Sequence, residues 1–277
     1  MAFPPTQART MQVEVDSDEA WMGLRELFTD EPIVPPCASS FELEVGNGAR
    51  LRVEQSVAAF ARAGEASSAD RGTGADDARV TGALLWDSSV VLARVISRQL
   101  PLLPAGARVV ELGAGLGLCG LAAAAAGFAV VLTDREEVLP LTRACYDANA
   151  AALAVSSGSA PRIEIRPLFW GDAAAAAALR PPLDCVVMAD CVYELESIPP
   201  LIACLRQLCG PQTLVLSAYD VDIGRHAAYA AFEQALAAAG FSSMPLDPAA
   251  PAHESGCSLE PVLKHSIVLQ QLRLASE

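Results

Sequence analysis

Two kinds of apolar pattern, one typical of strands and one typical of helices, alternate along most of the chain. From residue 81 onward, short continuous apolar runs alternate with longer amphipathic or Ala-rich segments, which is typical of strands and helices in a parallel α/β sheet. The apolar runs predict six strands, at residues 107–112, 128–134, 162–170, 183–190, 213–219 and 265–274. The segments between them predict helices at residues 85–101, 118–127, 136–153, 173–178, 198–209 and 225–240. We therefore expect one main α/β domain over residues 81–277.

The first 80 residues predict smaller elements. Residues 41–45 and 49–55 alternate apolar and polar side chains around the turn sequence Gly-Asn-Gly at 46–48, which predicts a β-hairpin. Residues 16–28 predict a short amphipathic helix, and residues 61–79 contain almost no bulky apolar side chain and predict a mobile loop. We treat residues 1–80 as a separate N-terminal region.

A glycine-rich turn between the first strand of the main domain and its helix is the strongest local pattern. The segment ELGAGLGLCG at residues 111–120 would bring the backbone close to a ligand. Dinucleotides and S-adenosylmethionine both bind at turns of this kind, and Gly115-x-Gly117-x-x-Gly120 satisfies the dinucleotide pattern GxGxxG. Asp134 ends the next strand, where either ligand would place a ribose hydroxyl. The glycines alone leave both ligands open.

Acidic residues favour the cationic ligand. A carboxylate at Glu111 would lie unfavourably beside a pyrophosphate, but it suits the α-ammonium group of a sulfonium ligand. Asp134, Asp172 and Asp190 also fall at or near the carboxyl ends of predicted strands, where open α/β sheets bind ligands. The alternative for each acid is that it caps the following helix and faces solvent.

Two further pairs of residues lie at the same end of the predicted sheet. Asp190 and Tyr193 follow the fourth strand and could present a carboxylate and a phenol to an incoming amine, or could form an Asx-turn with a packing Tyr. Trp86 and Trp170 lie at element boundaries, where their rings could attract a sulfonium or simply fill the core or an edge.

The charge of the chain limits the classes of molecule that it is expected to bind. The chain carries 33 acids and 19 bases, and its net charge of −14 disfavours nucleic acid and anionic lipid and favours basic proteins. The eight cysteines form no C-x-x-C pair and the three histidines are scattered, so we expect reduced core cysteines and no metal. We find no secretory signal and no apolar run of about 18 residues, so we expect no membrane span and a location in the cytoplasm, with the nucleus as a further option. The oligomeric state is left open.

Taken in order, these motifs resemble the seven-strand, S-adenosylmethionine-dependent protein-lysine methyltransferases of the methyltransferase-like group. The matching pieces lie within residues 41–240: the hairpin, GALLWDSS at 82–89, the glycine-rich turn, the acid closing the second strand, FWGD at 169–172 and the pattern Ala-Asp-x-x-Tyr at 189–193. The resemblance implies a Rossmann-like class I methyltransferase sheet of seven strands with helices on both faces, preceded by an N-terminal β-hairpin.

The resemblance also assigns roles to individual residues. It implies a cofactor pocket for S-adenosylmethionine lined by eight residues: Trp86, Glu111, Gly113, Ala114, Gly115, Asp134, Trp170 and Ala189. It implies that Asp190 and Tyr193 shape the entrance for the acceptor amine. No pattern matches residues 61–79 and 245–262, and both segments could contact a substrate.

The implied activity is methyl transfer from S-adenosylmethionine to a lysine of another protein, presented on a basic surface because this chain is acidic. Automethylation is expected to be minor, since Lys264 is the single lysine and lies before the presumed last strand. Arginine, histidine or a small amine are alternative acceptors, and a non-catalytic cofactor-binding module for partner assembly is another alternative. An NAD-dependent oxidoreductase is disfavoured because the sequence shows no hydride-transfer site.

Overall fold

The computed structural model describes residues 39–45, 49–55, 81–99, 103–104, 106–158, 160–221, 225–246 and 267–275. The helix predicted at 16–28, the hairpin turn at 46–48, the loop at 61–79 and most of the segment 245–262 lie outside these ranges. Those predictions, and the boundary proposed after residue 80, stay predictions.

The N-terminal hairpin is confirmed. Strand β1 (Ser40–Val45) pairs in antiparallel register with β2 (Ala49–Glu54), with Leu43 opposite Leu51. Alternate side chains of β1 are buried, as the two-residue period predicts. The buried side chains of both strands join the core of the α/β domain, so the hairpin packs on that domain through its apolar face.

A seven-stranded sheet forms the centre of the main domain. Its strands are β3 (Arg108–Leu112), β4 (Ala129–Asp134), β5 (Ile163–Pro167), β6 (Cys185–Ala189), β7 (Leu214–Asp220), β8 (Phe241–Pro245) and β9 (Ile267–Leu274), in the spatial order β5-β4-β3-β6-β7-β9-β8. The prediction of a Rossmann-like seven-strand sheet is confirmed.

The expectation of parallel strands throughout was wrong at one edge. The five strands from β3 to β7 pair in parallel, whereas β9 runs antiparallel to both β7 and β8. The sheet is therefore mixed, and the alternation of apolar runs carries no information about strand direction. Strand β8 was not among the strands predicted from apolar runs, because Phe241 is its single buried residue.

Helices cover both faces of the sheet, as predicted. They are α1 (Asp87–Gln99), α2 (Leu118–Ala125), α3 (Leu139–Ser157), α4 (Ala173–Ala178), α5 (Ile198–Leu208) and α6 (His226–Ala238). The hairpin packs with α1, α2 and α3 on one face, while α4, α5 and α6 pack on the other. Within the described ranges, no helix combines the length and apolar character needed to cross a bilayer. The six described cysteines are buried and none forms a disulfide.

The side-chain amide of Asn149 fixes the hairpin to helix α3. Asn149 on α3 is buried and donates from Nδ2 to the Arg52 carbonyl at 2.7 Å, while the Arg52 amide donates to Asn149 Oδ1 at 2.8 Å. Nearby, the Leu85 amide donates to Gln55 Oε1 at 3.0 Å. These hydrogen bonds hold β2 against α3 and against the segment that leads into α1.

The order of the strands determines where a ligand can bind. Strand β3 lies between β4 and β6, so the chain leaves β3 toward one side of the sheet and later returns to its other side. In open α/β sheets, such a switch point leaves a crevice beyond the carboxyl ends of the strands. The carboxyl ends of β3, β4 and β6 therefore define the candidate site.

Candidate active site

A cavity of about 320 Å³ opens beyond the carboxyl ends of β3, β4 and β6. This volume falls in the range of about 300–1,000 Å³ that is common for small-molecule sites. All ten residues predicted for the site line it: Trp86, Glu111, Gly113, Ala114, Gly115, Asp134, Trp170, Ala189, Asp190 and Tyr193. The structure thus brings the whole predicted set together, and the roles assigned to its members stay predictions.

The glycine-rich turn adopts a backbone that side chains disfavour. Gly113, Gly115 and Gly117 have φ values of +60°, +51° and +81°. A Cβ atom on Gly113 would lie 2.9 Å from Cys191 Sγ and 3.3 Å from the Trp170 ring, and one on Gly115 would lie 3.3 Å from the Gly82 carbonyl oxygen. Both crowding and positive φ therefore require glycine, and they leave the backbone of the turn exposed to the cavity.

Hydrogen bonds from β4 and α3 hold this turn in place. The Gly115 amide donates to Asp134 Oδ2 at 2.7 Å, and the Ala114 amide donates to the Thr133 carbonyl at 2.9 Å. Thr142 on α3 donates its hydroxyl to the Gly115 carbonyl at 2.6 Å. Burial raises the pKa of Asp134, and the hydrogen bond from Gly115 opposes that rise. The turn is held before any ligand arrives, and no sequence motif had pointed to Thr142.

Glu111 both caps a helix and lines the cavity. Its Oε2 atom accepts from the Gly120 amide, in the first turn of α2, at 2.8 Å. Burial raises the pKa of Glu111 to about 8, and the Gly120 hydrogen bond opposes the rise. Burial therefore favours the protonated form of this carboxyl group, and a cation in the cavity would favour its ionised form.

Of the four acids predicted at strand ends, Asp172 is the one that lies outside the cavity lining. It is the N-cap of α4, and its Oδ1 atom accepts from the amides of Ala174 and Ala175 at 3.0 Å each. Asp172 therefore caps a helix, as the alternative interpretation holds. Three of the four acids line the cavity, so the prediction that all four surround one ligand was wrong for Asp172.

Asp190 joins three elements next to the cavity. It follows β6 with a φ of +50°, and its side chain accepts from the Ser88 hydroxyl on α1 and from the Asp220 amide of β7 at 3.4 Å. Burial raises the pKa of Asp190 to about 6, while Ser88 and the positive charge of Arg225 oppose the rise. Asp190 is therefore mainly ionised at neutral pH. The role of Ser88 was missed, although it lies in the segment GALLWDSS.

An arginine that lines the cavity contacts the rings of both Tyr193 and Trp86. The guanidinium carbon of Arg225 lies 5.4 Å from the centre of the Trp86 ring and 5.6 Å from the centre of the Tyr193 ring. Trp86 is held by a hydrogen bond from its Nε1 to the Thr81 carbonyl at 3.1 Å. Arg225 was not among the predicted site residues, because no motif marks a single base between β7 and α6.

The described residues offer no metal site, since no group of three or more His, Cys, Asp or Glu side chains among them is arranged to hold an ion. The cavity is lined by carboxyl groups, aromatic rings and backbone atoms of the glycine-rich turn.

The family model described as lysine methyltransferase matches residues 74–237, more than half of the chain. The chain belongs to the lysine methyltransferase family. S-Adenosylmethionine is the cofactor of this family, so the predicted family, fold and cofactor are confirmed.

Curated relatives show the same similarity over part of their length. The chain is 35% identical over 136 residues to the protein N-lysine methyltransferase METTL21A of Danio rerio, covering 48% of this chain and 58% of that protein. It is 35% identical to EEF1A lysine methyltransferase 3 of Xenopus tropicalis, covering 47% of this chain and 54% of that protein. It is 29% identical to the histone-arginine methyltransferase METTL23 of Rattus norvegicus, covering 50% and 60%. The chain therefore spans a little over half the length of the curated relatives it matches.

Proposed function

We propose that this chain transfers a methyl group from S-adenosylmethionine to a lysine amine of another protein. One observation carries the proposal: a single cavity at the switch point of the sheet joins the glycine-rich turn to the pair formed by Asp190 and Tyr193. The glycine-rich turn is suited to hold a cofactor, and the pair of Asp190 and Tyr193 is suited to receive an acceptor.

The lining residues fit the cofactor. A turn without side chains at Gly113 and Gly115 allows close approach to the backbone. Asp134 still has lone pairs for ribose hydroxyls, and Glu111 offers a carboxyl group to a cationic amino acid moiety. Trp170, beside Gly113, adds an aromatic face. When bound, S-adenosylmethionine supplies an electrophilic methyl group on a positively charged sulfur.

The remaining chemistry requires alignment more than acid–base catalysis. A lysine ammonium would first lose its proton to water, and the amine lone pair would then form a bond to the methyl carbon as the methyl–sulfur bond breaks and the neutral thioether leaves. The carboxylate of Asp190 can accept a hydrogen bond from that amine and orient it. Tyr193 forms a wall of the path at the mouth. Burial raises the pKa of the Tyr193 phenol to about 12, so it remains a neutral hydrogen-bond donor. No covalent enzyme intermediate is required.

Lysine is the acceptor that the family description and the METTL21A relative support. Arginine is a second candidate, because the METTL23 relative is named as a histone-arginine methyltransferase. The net charge of −14 supports a target site with a basic surface, and we place the reaction in the cytoplasm, with the nucleus as a second location.

Cofactor selection is tested by titrating the full chain in a calorimeter with S-adenosylmethionine and, separately, with NAD. We expect saturable micromolar binding of the first and no heat from the second. Saturable NAD binding without a response to S-adenosylmethionine would overturn the proposal.

The acceptor is found by incubating the full chain with labelled S-adenosylmethionine and cell extract, then mapping the labelled residue by mass spectrometry. Methyl groups only on arginine, histidine or a small molecule would reject lysine as the acceptor and would still support methyl transfer.

With the acceptor known, its association with this chain should slow as the salt concentration rises, because the Debye length falls from about 30 Å at 0.01 M to about 8 Å at 0.15 M. Rates independent of salt would remove the charge argument.

A further inference from the structure

Arg225 lies beside the residues that we propose to receive the acceptor. It immediately precedes α6 and lines the same cavity as Asp190, Trp86 and Tyr193. Its guanidinium carbon is within 6 Å of both ring centres, at 5.4 Å and 5.6 Å, which is the range of cation–π contacts. We call these two rings the Trp86–Tyr193 pair. The pair already holds a cation that belongs to the protein itself.

The acceptor needs the same surroundings. A lysine side chain is an apolar stem that ends in a nitrogen, and this nitrogen is positively charged in solution at neutral pH and again after methylation. Ring faces and the carboxylate of Asp190 are the groups in this cavity that attract such a side chain. Arg225 contacts both rings, and its charge acts on Asp190. Two cations held this close would repel each other.

Resting on the proposed methyl transfer, we propose that Arg225 is an internal competitor of the acceptor, so that an incoming lysine side chain must displace its guanidinium from the Trp86–Tyr193 pair. Arg225 thereby sets acceptor affinity and disfavours side chains that cannot replace a cation between two rings. It acts as a specificity-determining residue, without taking part in bond making.

A second arginine at the same mouth provides a matched control. Arg135 also lines the cavity, and its guanidinium carbon lies 5.6 Å from the centre of the Phe169 ring. Its NH2 atom is paired with Glu137 at 2.7 Å, and Phe169 is 63% exposed. Arg135→Ala therefore removes one positive charge from the same cavity, breaks the ion pair with Glu137, and leaves the Trp86–Tyr193 pair with Arg225 in place.

The experiment measures binding of n-butyltrimethylammonium, which has the stem and charge of a methylated lysine side chain, to the full chain by calorimetry. We expect Arg225→Ala to bind this cation about tenfold more tightly than the wild type, equivalent to about 1.4 kcal/mol. We expect Arg135→Ala to stay within about twofold of the wild type, because removal of one rim charge alone has a small effect. No gain in Arg225→Ala, or an equal gain in both variants, would overturn the proposal.

Two further variants test whether the gain depends on the charge of Arg225 and on the two rings. Arg225→Gln keeps a polar side chain without the charge and should show the same gain, so it decides the matter if the alanine variant unfolds in a thermal melt. The double variant Arg225→Ala with Tyr193→Ala should lose the gain, since one ring of the pair is gone. A gain that survives the double variant would contradict binding between the rings.

Failure of the proposed function gives a different result. If S-adenosylmethionine does not bind in the separate titration, methyl transfer is rejected, and the cation titration still shows whether Arg225 competes for the Trp86–Tyr193 pair. If S-adenosylmethionine binds and the cation titration shows no effect of Arg225, methyl transfer stands and the competitor role is rejected.

Discussion

The part of the cavity that we propose for the cofactor and the part that we propose for the acceptor, here called the cofactor half and the acceptor half, are built differently. In the cofactor half, Gly115 and Ala114 are held by Asp134 and Thr133 through backbone amides. In the acceptor half, Arg225 is held by contacts between side chains, with Trp86 and Tyr193. A backbone fixed by adjacent strands suits one invariant ligand, whereas side chains can rearrange around acceptors of different shape. The predictions below test this difference, beginning with the largest effect.

Gly113→Ala should abolish binding of S-adenosylmethionine. The added Cβ atom would lie 2.9 Å from Cys191 Sγ at a φ of +60°, so the turn would have to move and its exposed backbone would be lost to the ligand. Calorimetry checks the result. Gly158→Ala is the matched control, because Gly158 has a φ of +66° with no atom within 4 Å. It should cost about 1–2 kcal/mol of stability through strain alone and leave binding unchanged. Unchanged binding in Gly113→Ala would show that the turn is not the cofactor site.

Asp190→Asn should lower the initial rate of methyl transfer by about 100-fold while S-adenosylmethionine affinity changes by less than about threefold, because the amine would lose its negatively charged acceptor. Scintillation counting of transferred label measures the rate. Ser88→Ala keeps the carboxylate and removes its hydroxyl partner, so it should mainly reduce stability, by about 1 kcal/mol. Wild-type turnover in Asp190→Asn would mean that the loop after β6 is purely structural.

Glu111→Gln should weaken the pH dependence of stability. The pKa of Glu111 is about 8 in the folded protein and 4.5 in the ordinary case, so the folded state holds an extra proton between these values. The unfolded state then binds fewer protons, and stability falls as pH rises through this window. Urea unfolding at pH 5 and pH 8 should show a smaller fall in the variant than in the wild type. Asp134 and Asp190 are present in both proteins, so the difference isolates Glu111. Equal falls would indicate that Glu111 titrates normally in the folded state.

Tyr193→Phe should have the smallest effect, a loss of about threefold or less in the rate of methyl transfer, since the contact with Arg225 uses the ring. Tyr193→Ala removes the ring and should change acceptor affinity much more. Once the acceptor is known, KM and kcat are measured for both variants, and the size of the change in KM relative to the change in kcat separates them. A loss in Tyr193→Phe as large as that in Tyr193→Ala would assign the role to the hydroxyl.

Local patterns predicted the elements around the glycine-rich turn well. The strand β3, the glycine-rich turn and α2 are consecutive in sequence, so apolar spacing and glycine positions were enough to locate them. The carboxylate that closes β4 could be placed for the same reason, because parallel neighbours end at the same edge of a sheet.

Contacts between distant parts of the chain were not predictable in this way. Ser88 and Asp190 are 102 residues apart, and neither residue type indicates the other. Arg225 is one of many arginines, and only the fold brings it within 6 Å of the centres of two rings. The direction of β9 depends equally on pairing with β7 and β8, which the period of its apolar residues does not encode.

The amide of Asn149 has a consequence for association between molecules. Strands at the edge of a two-stranded sheet present free amides and carbonyls, which can recruit a strand from another molecule and start aggregation. At Arg52, both the amide and the carbonyl of the outer edge are already bonded to Asn149. A single side chain from α3 thus takes the place that a foreign strand would occupy at Arg52, and it blocks edge-to-edge pairing at this position of β2.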